Sequence, residues 1–224
     1  MNFSDNTIAV LKNFATINPS IEFKPGNLVK TVSPQKSIMA EATIEESFPN
    51  GGAIYDLNRF LGTLSLFEDP VVNWGDKQAV ISGSKKQVRY TFADPSMIVA
   101  APDKRIELPS VELKTQVMYD DLLSVAKASS VLQLPEVALI GSEGRLTLQA
   151  LDSKNPTADD FSVELVGSTD KKFQFIFKTE NLKLMNLNYD VEVTSKGIAK
   201  FVSTNDSGPV LTYWVALESS STFE

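Results

Sequence analysis

Apolar residues recur at three- and four-residue spacing in three stretches of the chain and at two-residue spacing through much of the rest. In Thr7–Ile17, TIAVLKNFATI, the residues Ile8, Leu11 and Ala15 form one row with Val10, Phe14 and Ile17 beside it, which predicts a helix. Ser4 or Asp5 is placed to accept hydrogen bonds from its first amides. The stretch Ala53–Phe67, AIYDLNRFLGTLSLF, repeats the pattern: Leu57, Phe60, Leu61, Leu64 and Phe67 make a stripe that a sheet can cover, and Asp56 suits the first turn. Tyr119–Leu132, YDDLLSVAKASSVL, is the third predicted helix, with Leu122, Leu123 and Ala126 facing inward. Thr179–Met185, TENLKLM, is a shorter fourth, with Thr179 as its cap.

Between these helices the period changes to that of strands. Ile21–Phe23 and Leu28–Val32 flank the turn Pro25-Gly26-Asn27, and Ile38–Ile44 continues the series. Val71–Trp74, Ala79–Ser82 and Gln87–Phe92 follow the second helix, while Gly51-Gly52 reads as a turn ahead of it. The second half offers Glu136–Ile140, Arg145–Leu151, Phe161–Val166, Lys172–Lys178, Tyr189–Thr194, Ile198–Ser203 and Val210–Leu217. One unit, a helix followed by about three antiparallel strands, thus occurs four times. Two units precede the proline-bearing stretch Ala93–Leu113 and two follow it, which predicts similar domains at about residues 1–100 and 110–224, joined by a connector at 93–113. The connector's apolar residues leave two readings open: they pack down as edge strands, or they bind a partner.

Composition narrows the chemistry. The 224 residues include no cysteine and no histidine. Disulfides, thiolate nucleophiles, Cys/His zinc sites and histidine acid–base catalysis are therefore excluded. Neither G-x-G-x-x-G nor G-x-x-x-x-G-K-[ST] occurs. The opening MNFSDNTIAV lacks a basic segment followed by an apolar core, and no run approaches the length of a membrane span, so the expectation is a protein that stays in the cytoplasm. Asp120-Asp121 and Asp159-Asp160 read as first-turn acids and a solvated loop rather than metal ligands. Trp74 and Trp214 lie in strand patterns and belong to a core or interface, and the tail ESSSTFE reads as a frayed terminus.

The net charge of −7 argues against tight static phosphate binding but leaves room for segregation by face. The helical segments 5–17, 55–67, 119–132 and 178–186 hold five basic residues, Lys12, Arg59, Lys127, Lys178 and Lys183, against five acidic ones. They are neutral on an acidic chain. Each outward face carries at least one cation among small polar groups.

TIAVLKNFATIN and, about forty residues later, AIYDLNRFLGTLSLF resemble the first two helices of the sliding clamps of T-even-type bacteriophages, the DNA polymerase processivity factors. Helix order, length and the central connector extend the resemblance over the whole chain. It implies an α+β DNA-clamp fold of two similar domains, with helices on one face of the sheets. It further implies a homotrimeric ring around duplex DNA, working in the cytoplasm of an infected bacterial host. Implied partners are a clamp-loader ATPase, the C-terminal peptide of a DNA polymerase and late-transcription factors; no catalytic residue, metal or cofactor is implied. Under the resemblance, Lys12, Arg59, Lys127, Lys178 and Lys183 become inner-face candidates, and Ile98, Val99, Ile106 and Leu108 become walls of the peptide pocket. Two rival readings are a carboxylate-dependent hydrolase and an acidic β-rich phage assembly protein without a DNA role.

Overall fold

The computed structural model describes residues 1–104, 106–204 and 208–224. The first helix, α1 (Asp5–Ile17), forms where a cap and an apolar stripe coincide: the Ser4 side chain accepts from the Thr7 amide, and Val10, Leu11, Phe14, Ala15 and Ile17 are buried. Ser4 is therefore the cap, with Asp5 in the first turn, where the helix dipole favours it. The strands β1 (Ile21–Phe23), β2 (Gly26–Val32), β3 (Ile38–Phe48) and β4 (Gly52–Ile54) follow. β2 pairs antiparallel with β3, and β1 with β4.

The second helix is shorter than the sequence predicts. Ala53 and Ile54 belong to β4, opposite Glu22 and Ile21 of β1, and α2 runs only over Leu57–Leu64. Asp56 is its cap, accepting from the Arg59 amide at 2.9 Å. Gly52 is a strand residue, not part of a turn: a side chain there would collide with the Trp74 and Phe92 rings. The strands β5 (Val71–Trp74), β6 (Gln78–Gly83) and β7 (Lys86–Thr91) form a three-stranded antiparallel sheet. The core is aromatic, with Trp74 packed 5.0 Å from Phe23, 4.7 Å from Phe48 and 4.6 Å from Phe92 between ring centroids.

The second half begins with β8 (Leu113–Val117), α3 (Tyr119–Leu132), β9 (Glu136–Ser142), β10 (Arg145–Leu151) and β11 (Phe161–Glu164). It continues with β12 (Phe173–Lys178), β13 (Tyr189–Thr194), β14 (Ile198–Ser203), β15 (Val210–Ala216) and β16 (Thr222–Phe223). One sheet has the order β11-β10-β9-β12-β16; in another, β8, β13, β14 and β15 are consecutive neighbours. α3 packs on β9, β10 and β11. Its buried residues are Val125 and Ser129; Leu122 and Leu123 are half-buried and Ala126 is exposed, because these three line a small cleft against residues 182–186 instead of facing the sheet.

The predicted fourth helix does not form. Thr179–Asn181 is a single 3-10 turn, and the chain then runs irregularly to β13. Two buried tyrosines explain this: Tyr213 Oη accepts from the Met185 amide at 3.3 Å, and Tyr189 Oη donates to the Met185 carbonyl at 2.7 Å. The backbone groups a helix would need are thereby committed elsewhere. Burial raises both phenol pKa values well above the ordinary tyrosine range.

The predicted frayed tail is also ordered. Thr222 and Phe223 pair with Gln174 and Phe173 of β12, and the Phe223 ring stacks on Phe175. By contact density the chain divides into Met1–Arg105 with Asp206–Thr212, and Ile106–Asn205 with Tyr213–Glu224. No helix among the described residues is long and apolar enough to cross a membrane.

Candidate nucleic-acid interface

In the first unit, α1 and α2 pack side by side. Lys12 stands exposed on α1 and Arg59 exposed on α2. The small polar residues around them turn back onto their own backbone. Thr16 Oγ1 donates to the Asn13 carbonyl at 2.7 Å, Thr63 Oγ1 to Arg59 at 2.8 Å, and Ser65 Oγ to Gly62 at 2.7 Å. In the second unit Lys127 is exposed on α3, and Ser124 Oγ donates to the Asp120 carbonyl at 2.7 Å. Each of these hydroxyl protons is thus engaged within its own helix, leaving the cations as the groups best able to reach an anion.

Lys178 and Lys183 occupy no helix face. Lys178 is the last residue of β12, with Nζ 4.0 Å from a Glu218 carboxylate oxygen. Lys183 is half-buried in the irregular segment that replaces the fourth helix. Among the described residues, no three carboxylates converge as metal ligands, and Asp159-Asp160 lie exposed immediately before β11.

The connector residues divide between the units. Ile98 and Val99 belong to the first; Ile106 and Leu108 belong to the second. Ile98, Ile106 and Leu108 are half-buried and Val99 is exposed; none lies in a strand, so packing as edge strands does not occur. The first unit holds its end of the connector by polar contacts. The buried Asn18 amide donates to the Val99 carbonyl at 3.0 Å, the Lys24 ammonium pairs with the Asp103 carboxylate, and Lys30 Nζ donates to the Asp103 carbonyl at 3.2 Å. The Asp103 hydrogen bond raises the Lys24 pKa, and the same contact lowers that of Asp103. Beside this contact lies a cleft of about 200 Å³ lined by Glu22, Lys24, Pro25, Leu28, Lys30, Ala101 and Asp103. None of the four predicted apolar residues lines it. The strand alternation Leu28-x-Lys30 on β2 was the available signal; its meeting with residues 101–103 was not readable locally.

The fold recurs in solved structures. The chain superposes on a proliferating cell nuclear antigen of Entamoeba histolytica with TM-score 0.69 at 12% identity, covering 95% of each chain. It superposes equally, at 0.69 and 13% identity over 96% of each chain, on the A. fulgidus PCNA in a structure with the C-terminal region of FEN-1 bound. The architecture is therefore that of a DNA clamp.

Sequence carries the assignment further. A family model for the DNA polymerase processivity factor matches residues 4–100, and one for the gp45 sliding clamp C-terminal domain matches residues 112–219. The sliding clamp of Enterobacteria phage T4 is 34% identical over 234 residues, covering both chains completely. The chain belongs to the phage sliding-clamp family of DNA polymerase processivity factors, which are scaffolds and not enzymes.

Proposed function

We infer that the chain works as a closed homotrimeric ring that encircles duplex DNA with its helices inward and tethers a polymerase by that enzyme's C-terminal peptide. A loader ATPase opens and closes the ring, and late-transcription factors use the same moving platform, in the cytoplasm of the infected host. The observation that carries this reading is the chemistry of the helix faces. Lys12, Arg59 and Lys127 are isolated cations on surfaces where the Thr16, Thr63, Ser65 and Ser124 hydroxyls are bonded to their own helices, on a chain of net charge −7. Such a surface attracts a polyanion through the field without fixing it at any phosphate.

A ring holds by topology, so strong contacts would only slow its movement. Cations acting over a screening length of about 8–10 Å bias the duplex toward the centre and still let it slide. The acid left on strands and loops discourages DNA from adhering outside. Tethering keeps the polymerase at high effective concentration near its template, which is what processivity requires. Lys178 and Lys183, off any helix face, contribute to the inner field less directly than the other three. The connector takes the polymerase peptide, with Ile98, Val99, Ile106 and Leu108 as its candidate apolar contacts.

The test is a processivity assay with the cognate loader on primed circular and linear templates. Long products on the circle, reduced on a linear template with free ends, are expected. Equal stimulation on both templates, or on neither, overturns the encircling reading.

A further inference from the structure

In the first unit, an acid of the connector occupies a basic site beside the cleft. The Lys24 ammonium pairs with the Asp103 carboxylate, and Lys30 Nζ donates to the Asp103 carbonyl at 3.2 Å. The two lysines differ in how firmly they are held. Lys30 stands 3.7 Å from a Glu41 carboxylate oxygen and its side chain is only 18% exposed, so it is fixed on β2. Lys24 is 46% exposed and lies 3.8 Å from Glu22, while its partner Asp103 is 81% exposed. An ion pair this open to water contributes little to stability, and another carboxylate can replace Asp103 in it at little cost.

The surroundings suit a peptide. The cleft of about 200 Å³ sets Pro25, Leu28 and Ala101 beside the two lysines, and Leu28 is exposed. Val99, a candidate apolar contact for the polymerase peptide, precedes Asp103 by four residues, a span of at most about 14 Å. Both belong to the first unit. A peptide lying along the connector thus reaches from Val99 to Lys24 within a few residues. When that peptide is the C-terminus of its protein, it ends in a carboxylate, and capture of such a terminus by fixed donors is a recurring mode of recognition.

We propose that Lys24, backed by Lys30, anchors the C-terminal carboxylate of a docking peptide, and that Asp103 is a built-in competitor for that anchor. The anchor rests on the tethering reading above and adds to it a partner chemistry, an apolar segment ending in an unblocked carboxylate. It adds a regulation as well. Asp103 is tethered to the connector and competes at high effective concentration, so it holds the peptide's affinity down and reoccupies Lys24 when the peptide leaves. A platform shared by several partners needs such exchange. The plainer account of the pair is a brace for the connector, and the two accounts differ in sign. Removing the Asp103 charge weakens peptide binding if the pair is a brace and strengthens it if Asp103 competes.

The test is fluorescence anisotropy of a synthetic peptide with the C-terminal sequence of the cognate DNA polymerase, made with a free carboxylate and as the carboxamide. Four full-length clamps are compared, with circular dichroism as the folding check: the wild type, Asp103→Asn, Lys24→Gln and the combination of both. Asp103→Asn is expected to tighten the carboxylate form by about two- to fivefold and to leave the carboxamide unchanged, the gain shrinking as salt rises. In Lys24→Gln and in the combination, the two forms are expected to bind alike. Weaker or unchanged binding of the carboxylate form by Asp103→Asn, or a gain shared by the carboxamide, overturns the anchor and leaves the tethering reading standing. A gain that persists when Lys24 is also changed overturns it too, since general repulsion by Asp103 would then account for the effect. Binding of neither form by any of the four overturns the connector as the peptide's seat, and the anchor with it.

Discussion

The Asn18 side chain donates to the Val99 carbonyl at 3.0 Å, and the same amide nitrogen donates to the Val32 carbonyl at 2.8 Å. Asn18 is the C-cap of α1 and is buried, so one side chain ties a helix end, a sheet strand and the connector together. Its carbonyl oxygen accepts from the Ser20 amide and is not idle either. Replacing Asn18 with alanine leaves the buried Val32 carbonyl and the part-buried Val99 carbonyl without this donor, at a cost of about 1–3 kcal/mol. Urea denaturation is expected to show that loss, and trypsin to cut faster after Lys104. Unchanged stability and unchanged cleavage would show that the contacts of Lys24 and Lys30 with Asp103 hold the connector without Asn18.

The elements legible in the sequence are those whose determinants are local. Ser4 and the stripe through Phe14 lie within one segment, and α1 forms as that segment predicts. The start of α2 was not legible, because Ala53 and Ile54 are drawn into a strand by Glu22 and Ile21, thirty residues away. The absent fourth helix has the same origin. TENLKLM has helical spacing, but Tyr213 and Tyr189 take the Met185 backbone, and nothing within the heptapeptide announces them. The exposed cations on α1, α2 and α3 were legible as helix-face positions. The self-bonded hydroxyls around them and the Lys24–Asp103 contact required the folded chain, since those are facts of geometry and long-range contact.

Lys12, Arg59 and Lys127 are all exposed, and each stands on a helix whose buried stripe lies elsewhere. Changing them together to glutamate is expected to leave melting close to that of the wild type, since exposed substitutions usually stay within about 0.5 kcal/mol each. Loading on DNA and product length are expected to fall, and the loss to deepen at low salt, where screening is weakest. Full-length synthesis at wild-type yield by the triple variant would remove these residues from the inner face.

Glu112 gives a pH signature. Burial pushes its pKa up, but hydrogen bonds from Ser110 Oγ at 2.7 Å and from the Ser195 amide at 2.8 Å favour the charged form, and the net direction is down. A carboxyl with a lowered folded-state pKa contributes stability that is present above the ordinary value of about 4.3 and is lost as pH falls through the lowered one. Glu112→Gln is therefore expected to melt below the wild type at neutral pH, with the gap closing under acid conditions. A gap of constant size from neutral to pH 3 would assign the effect to packing instead of ionisation.

The exit of α3 predicts opposite signs for two nearby substitutions. Ser129 is buried, and its hydroxyl donates to the Leu134 carbonyl at 2.6 Å, while its own carbonyl accepts from the Leu134 amide at 2.9 Å. Between them the chain turns through Gln133, which ends the helix at φ 55°, a left-handed conformation that favours glycine. Ser129→Ala removes the shorter of two hydroxyl donations to the Leu134 carbonyl, leaving that of Thr179 Oγ1 at 3.4 Å, and is expected to cost about 0.5–1.5 kcal/mol. Gln133→Gly relieves a backbone penalty of roughly 1–2 kcal/mol against a smaller loss of chain entropy, so it is expected to stabilise by up to about 1 kcal/mol. The Gln133 side chain is exposed and loses little by its removal. Urea denaturation of the two single variants and the double variant reads both effects. The double is expected to fall between them, and a destabilising Gln133→Gly would mean that the left-handed cap is not strained at this helix end.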